Sequence, residues 1–345
     1  MKSIKKIAAS VSVLIGVFIL LFFLFYLLGD PTDLIAGQNA DIKTKEAIKK
    51  ELGLHLNSID RMMMLANDYS PISIYKKEEY AKKKISGIAI GKNELLVIKW
   101  PYLGISFHSK KPVAELVANA FPATALLALT SLFFAIFLGI PLGILAALKQ
   151  SGKIDKIILT VTSIGISAPS FFLSILIAYL FGFLLHAYSG LDFIGSMYRY
   201  NAMTGFRQLD LKNLFLPAVS LGIRPLTIIV QMTRSSVLDV LQMEYIKTAK
   251  SKGLTRRKII TQHILPNAIN PVITSISGWL AELLAGAFFV EYIFGWQGMG
   301  LLTIGALERL DFPVVFACIL FSAFLFIIIT HLTDLFYTLF DPRIK

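Results

Sequence analysis

Six apolar stretches, each long enough to cross roughly 30 Å of hydrocarbon as a helix, limit what this chain can fold into more than any other feature. They lie at about residues 7–28, 121–148, 157–185, 214–232, 268–294 and 314–339. In lipid every backbone N–H and C=O must find its partner within its own segment, so six such runs specify an all-α, six-helix membrane protein. The composition agrees, with 55% hydrophobic and only 16% charged residues. Lys2, Lys5 and Lys6 precede the first run as they would a secretory signal. The apolar stretch exceeds the ~7–15 residues of a signal core and no small-x-small cleavage site follows, so it reads as an uncleaved anchor. The single cysteine, Cys318, excludes an internal disulfide, a Cys-based metal site and dithiol redox chemistry. The net charge of +12 forms neither a long basic tail nor a patch interleaved with aromatics, so it points to membrane lipid and not to nucleic acid.

Lys and Arg in the short connections set the orientation. A cytoplasmic N-terminus places Lys2, Lys5 and Lys6 inside, then Lys149, Lys153 and Lys156, then the cluster from Lys247 to Lys258, then Arg343 and Lys345. The opposite side receives 186–213, with Arg199, Arg207 and Lys212, and 295–313, with Arg309. It also receives 30–113, which exceeds the ~60 residues over which the rule counts. Both termini are therefore predicted in the cytoplasm. The chain divides into a first span at 1–29, a small extracytoplasmic α+β insertion at 30–113 and a five-helix core at 114–345. Within the insertion, 43–56 has helical spacing, and Ile88, Ile90, Leu96 and Ile98 alternate around Gly91-Lys92-Asn93 as a hairpin would. Gly87 to Lys92 is one residue short of a phosphate loop and reads as the hairpin turn. The Lys-rich 76–84 stretch reads as a solvated helix face, with a docking surface for an external partner as the alternative.

Catalysis has no visible seat. The chain lacks G-x-S-x-G, H-E-x-x-H and G-x-x-x-x-G-K-[ST] motifs. His55, His108, His186, His263 and His331 are scattered one per segment, without the i, i+4 pair that a metal would use on one helix face. No catalytic residue, cofactor or metal site is expected.

The segment 235–266 is too polar for lipid and too regular for a linker. Val237, Leu241, Tyr245 and Thr248 form one stripe, which predicts a first short helix. Gly253 ends it, as the residue that accepts a left-handed conformation without steric cost. Thr255 caps a second helix through Arg256, Arg257 and Lys258, and Pro266 stops it or begins the next span. Two readings fit this elbow: a basic amphipathic pair on anionic lipid, or a rigid knob for a cytoplasmic partner's groove. Tyr245, Thr248 and Ala249 are small or half-polar groups that suit the groove.

The run Glu244-Tyr245-Ile246-Lys247-Thr248-Ala249-Lys250-Ser251-Lys252-Gly253-Leu254 resembles the coupling loop of bacterial ATP-binding-cassette importer permeases. Around it the chain is similar to the B-type permeases of dipeptide, oligopeptide and nickel importers. The similar stretches are Gly29-Asp30-Pro31, Phe121-Pro122-Ala123-Thr124, Gly139-Ile140-Pro141-Leu142-Gly143, Ala168-Pro169-Ser170-Phe171-Phe172 and Thr233-Arg234-Ser235-Ser236-Val237-Leu238. Val290-Glu291-Tyr292-Ile293-Phe294 with Gly298 and Gly300, and Asp341-Pro342-Arg343-Ile344, complete the set. Residues 57–99 lie outside the resemblance, and Gln297 stands where the family typically has Pro. The resemblance implies a type I importer permease of the bacterial inner membrane, paired with a sister permease, two cytoplasmic ATPase subunits that bind the ATP, and an external substrate-binding protein. Its coupling residues would be Glu244, Tyr245, Thr248, Ala249, Lys252 and Gly253.

A charge near the bilayer centre costs at least about 2.5–3.5 kcal/mol, so Arg224 and Glu282 stand out as candidates for the translocation path. Arg224 precedes Pro225 and equally suits a structural role on freed carbonyls. Glu282 is expected to face the path or the sister permease, where it meets cationic cargo, Arg224 or a partner residue. Pro141 and Pro169 read as kinks and Ser167 as a helix-packing hydroxyl. Peptide import is the expected function. A nickel or metal-chelate importer of the same family, and a non-transporting membrane sensor or anchor, are the alternatives. An ion-coupled transporter would call for inverted repeats and more intramembrane acids.

Overall fold

Helix α1, Lys2–Leu27, opens the chain as one unbroken apolar rod. The computed structural model describes residues 2–27, 32, 41–51, 53–83, 85, 87–196, 198–200 and 207–340; the Gly29-Asp30-Pro31 and Asp341-Pro342-Arg343-Ile344 stretches lie outside them. Two compact units emerge, residues 1–120 with 302–323 and residues 121–301 with 324–345.

In the first unit, α1 is followed by α2 (Ile42–Glu51), α3 (Ser58–Tyr69), β1 (Ile72–Lys76), α4 (Lys77–Lys83), β2 (Gly87–Ile90) and β3 (Glu94–Lys99). The expected hairpin is present: β2 and β3 pair antiparallel with Ile88 opposite Ile98 and Ile90 opposite Leu96, and β1 joins the other edge of β3. The helix expected at 43–56 is shorter, ending at Glu51. One face of the sheet buries Tyr75, Leu95 and Val97. Beneath it, Asp68 accepts hydrogen bonds from the Tyr75 hydroxyl (2.8 Å) and from Lys83 Nζ (2.7 and 2.9 Å), while Lys99 Nζ donates to the Ser70 carbonyl at 3.1 Å. Burial works against the Lys83 charge, but Asp68 and Glu79 more than offset it and raise its pKa. Part of the Lys-rich stretch is thus an internal counter-charge and not only a solvated face.

Two aromatic contacts of Tyr69 tie this small domain to apolar helices within the unit, and a third joins those helices. Tyr69 packs on Phe316 at 5.0 Å and edge-on to Phe18 at 6.3 Å, and Phe18 meets Phe316 at 5.4 Å. The turn before the last helix is pinned too: Asp311 accepts from Ser106 Oγ at 2.5 Å, from the Phe107 N–H at 3.0 Å and from the His108 N–H at 3.3 Å.

The second unit holds most of the apolar core. The helices are α5 (Val113–Leu148), α6 (Lys153–Ser167), α7 (Ser170–Ile177), α8 (His186–Ser189), α9 (Lys212–Leu241), α10 (Glu244–Ser251), α11 (Arg256–Lys258), α12 (Leu265–Gly286), α13 (Phe288–Phe294), α14 (Met299–Glu308) and α15 (Phe312–Phe340), with α5, α14 and α15 extending into the first unit. Two π-helical turns, Ala178–Leu184 and Ile259–Ile264, follow α7 and α11, and strands β4 (Tyr198–Tyr200) and β5 (Arg207–Leu209) form a short ribbon.

Among the described residues, Ala8–Leu27, Val113–Leu148, Lys212–Leu241 and Phe312–Leu335 are long and apolar enough to cross a bilayer. Lys153–Ser167 with Ser170–Leu184, bent by 109°, and Arg256–Leu284 with Phe288–Phe294, bent by 58°, meet the same criterion as pairs. The third predicted span is therefore broken, not merely kinked. Ala168 takes an extended conformation (ψ 139°), because the ring of Pro169 excludes the helical region from the residue before it. Pro141, by contrast, lies within an unbroken α5. Ser167 donates to the Ser163 carbonyl of its own helix (3.0 Å), so its hydroxyl is used locally.

The Gly139 to Gly143 stretch has a packing cause. A Cβ on Gly143 would come within 2.7 Å of the Val230 carbonyl oxygen, and one on Gly139 within 2.8 Å of the Ile229 side chain. Glycines four apart on α5 let α9 approach backbone to backbone, as small residues do between membrane helices.

Candidate functional site

The elbow begins later than its stripe suggested. Val237 and Leu241 belong to α9, which runs on to Leu241. Met243 is then extended (ψ 142°), and α10 starts afresh at Glu244. The chain turns because α10 ends in a Schellman cap: the Gly253 N–H bonds the Lys250 carbonyl at 3.0 Å and the Leu254 N–H the Ala249 carbonyl at 3.3 Å. Gly253 has φ +75°, the left-handed region its sequence role required. Thr255 accepts from the Lys258 N–H as the expected N-cap. The second helix then merges through the Ile259–Ile264 π turn into α12, with Pro266 inside the first turn.

The elbow is anchored by its own apolar cluster. Ile246 (0% exposed) and Ala249 (5%) pack with Ala147 of α5, Val237 and Val240 of α9, and Ile259, Ile264 and Ala268. Ala249 was expected on the contacting surface and is instead on the inner face. Only two adjacent faces of a two-turn helix can point inward, and i, i+3 spacing puts Ala249 with Ile246. Glu244, Tyr245, Thr248, Lys252 and Gly253 are exposed, together with Lys247, Lys250, Arg256, Arg257 and Lys258.

Beside the elbow, Arg234 near the end of α9 grips Asp155 in the first turn of α6. Nε meets Oδ1 at 2.7 Å and Nη2 meets Oδ2 at 2.8 Å, and the Ser151 N–H adds a third bond to Asp155 at 2.9 Å. The Asp155 side chain is only 4% exposed. Removing one member of a buried pair strands the other charge, at about 3–5 kcal/mol, more than removing both. We expect Arg234→Ala to lower the thermal stability of the purified complex further than the double change Asp155→Ala/Arg234→Ala. A double variant as unstable as the sum of the singles would refute the pairing.

Of the two charges singled out in apolar runs, one is partly buried and one is exposed. Arg224 and Glu282 are not paired. Among the described residues Arg224 Nε is buried without a hydrogen-bond partner, and Glu282 is exposed on α12.

Among the described residues the carboxylate with no exposure is Glu291, whose place in the fold sequence reasoning missed. It accepts from Thr124 Oγ1 (2.7 Å) and from the Gly300 (2.7 Å) and Leu301 (3.3 Å) N–H groups, while Thr124 Oγ1 accepts from the Met299 N–H (2.8 Å). The first three N–H groups of α14 are thereby satisfied, and a carboxylate sits at the positive end of that helix. Trp296 Nε1 donates to the Ala123 carbonyl at 2.8 Å. Gly298 is required because a Cβ there would fall 2.4 Å from Glu291 Oε2. The available signal was an acid in the apolar run Phe288-Phe289-Val290-Glu291 followed by glycines at 298 and 300. The Phe121-Pro122-Ala123-Thr124 and Val290–Phe294 stretches of the resemblance meet in this one network.

Comparison with known proteins identifies the family. A family model described as "Binding-protein-dependent transport system inner membrane component" matches residues 139–345. The dipeptide transport system permease protein DppB of Escherichia coli (strain K12) is 38% identical over 262 residues, covering 70% of this chain and 76% of its own. A Brucella abortus (strain 2308) protein named for a peptide transport system permease is 32% identical over 344 residues, 99% of this chain and 98% of its own. The MetNI methionine ABC transporter, solved in an inward-facing conformation, shares the fold at 17% identity and a TM-score of 0.54, over 67% of this chain and 98% of that one. The chain belongs to the family of binding-protein-dependent transport system inner membrane components, transporter subunits that are not themselves enzymes.

Proposed function

We propose that this chain is one half of the pore of an ATP-driven peptide importer in the bacterial inner membrane. It crosses the membrane six times, each bent helix pair counting as one crossing, with both termini and the elbow in the cytoplasm and 30–113 outside. A sister permease completes the pore, two ATPase subunits bind the elbows from the cytoplasm, and an external binding protein delivers peptide. The burial of Ile246 and Ala249 in the chain's own core is the observation that carries this reading. A lipid-bound amphipathic helix needs its apolar face free to enter the headgroup region. Here that face is consumed, and what projects is Tyr245, Thr248 and a set of lysines and arginines on a rigid base. Closure of the ATPases would draw two such knobs together and rotate the helices they are rooted in, exchanging inward-facing for outward-facing access. Arg224 and Glu282 line the path in this reading. The buried Arg224 Nε has no acceptor among the described residues and suits a peptide carboxylate, while Glu282 suits a peptide ammonium.

Cysteine-scanning of the elbow in the reconstituted complex tests this. Thr248→Cys should cross-link to an ATPase subunit, with a yield that changes on ATP binding, and Ala249→Cys should not. Glu282→Gln should weaken uptake of cationic peptides more than of neutral ones. Equal uptake of both, with position 282 closed to water-soluble thiol reagents in every nucleotide state, would remove Glu282 from the path. Absence of any cross-link from Thr248→Cys would return the elbow to the lipid surface.

A further inference from the structure

The sheet of the first unit carries an uncovered apolar face. Ile72 and Ile74 of β1, Leu96 and Ile98 of β3, and Ile88 and Ile90 of β2 point away from the core and are 44–68% exposed. The register aligns them in two rows of three, Ile72-Ile98-Ile88 and Ile74-Leu96-Ile90. No polar side chain interrupts the grid; Lys76 and Glu94 face each other at one end, and Trp100, 89% exposed, follows β3 at the other. An apolar patch of this kind on a folded domain marks a surface with an occupant.

We propose that this face rests on the phospholipid bilayer as an interfacial contact, a reading that depends on α1 spanning the membrane. Three observations select lipid over protein. First, Tyr69, three residues before β1, packs edge-on to Phe18, about midway along the apolar run Ala8–Leu27. The sheet is therefore held beside the apolar helix of its own unit. Second, residues 41–111 contain fourteen Lys and Arg against eight Asp and Glu, complementary to anionic headgroups, and tryptophan at a rim is the side chain favoured at the membrane interface. Third, the contact is intramolecular with respect to the membrane. The chain enters the domain from α1 and leaves it into α5, so a face of modest intrinsic affinity is held at high local concentration beside lipid.

Spin labels test this in the full transporter, reconstituted in vesicles of phosphatidylethanolamine and phosphatidylglycerol. Labels are placed at Ile90→Cys and Ile98→Cys, with Glu78→Cys on exposed α4 as the aqueous reference and buried Cys318 left in place. The expected result is a ratio of oxygen to nickel-chelate accessibility several-fold higher at 90 and 98 than at 78. Nickel accessibility at 90 and 98 equal to that at 78 would overturn the proposal. So would shielding from both reagents, which would assign the face to the sister permease if constant, or to the binding protein if it appears on that protein's addition. Uptake measured on the same labelled samples separates the two readings, because intact uptake without the lipid signature defeats this proposal alone.

Discussion

Gly253→Val is expected to cost most of the uptake of the reconstituted transporter while leaving its subunits assembled. A Cβ at this position meets nothing within 4 Å, so space is not the obstacle. The obstacle is φ +75°, where a residue with a side chain pays about 1–2 kcal/mol and a β-branched one more. One or two kcal/mol changes a two-state ratio by roughly 5–30-fold, so most elbows would leave the Schellman geometry and present Tyr245 and Thr248 at the wrong angle. Gly253→Asn supplies the control, since Asn tolerates the left-handed region. The measurement is peptide uptake per ATP hydrolysed: a large loss for Val, a small one for Asn. Equal losses would mean that the position is read by contact and not by conformation.

The second large effect is expected at Glu291. Replacing it with Leu leaves the Thr124 hydroxyl and the Gly300 and Leu301 N–H groups without their acceptor in a site with no exposure. Each unsatisfied buried group costs about 1–3 kcal/mol, so the sum rivals the stability of an ordinary domain. Glu291→Leu should fail to accumulate as assembled complex in the membrane. Glu291→Gln keeps one carbonyl acceptor and should accumulate with a lowered melting temperature. Normal melting of Glu291→Leu would show that the network contributes shape and not stability.

The apolar runs made the helical class legible because lipid leaves so few ways to satisfy a backbone. Gly253 and Thr255 were legible because each has one strong local reason to be where it is. The end of α9 was not, since the period that joins Val237 and Leu241 to Tyr245 is the same whether or not Met243 breaks the helix. Glu282 and Glu291 show the limit for charges: hydropathy flags both, but burial depends on which way a helix faces, and only the tertiary arrangement sets Glu291 beside Thr124 and Gly300. Asp155 was hidden among Lys149, Lys153 and Lys156, where a lone acid reads as solvated until Arg234, 79 residues away, is placed against it.

The Ile259–Ile264 π turn bears on phase. A π turn takes up one residue more than an α turn, and one residue is about 100° of rotation in an α-helix. Everything after it, Glu282 included, is turned by that angle relative to the face that an uninterrupted α-helix from Thr255 would present. A one-residue deletion between 259 and 264 would restore an ordinary helix and leave Glu282 on its present face, whereas straightening the turn with every residue kept would swing Glu282 by about a quarter turn against the elbow. In this stretch the number of residues matters independently of which residues they are.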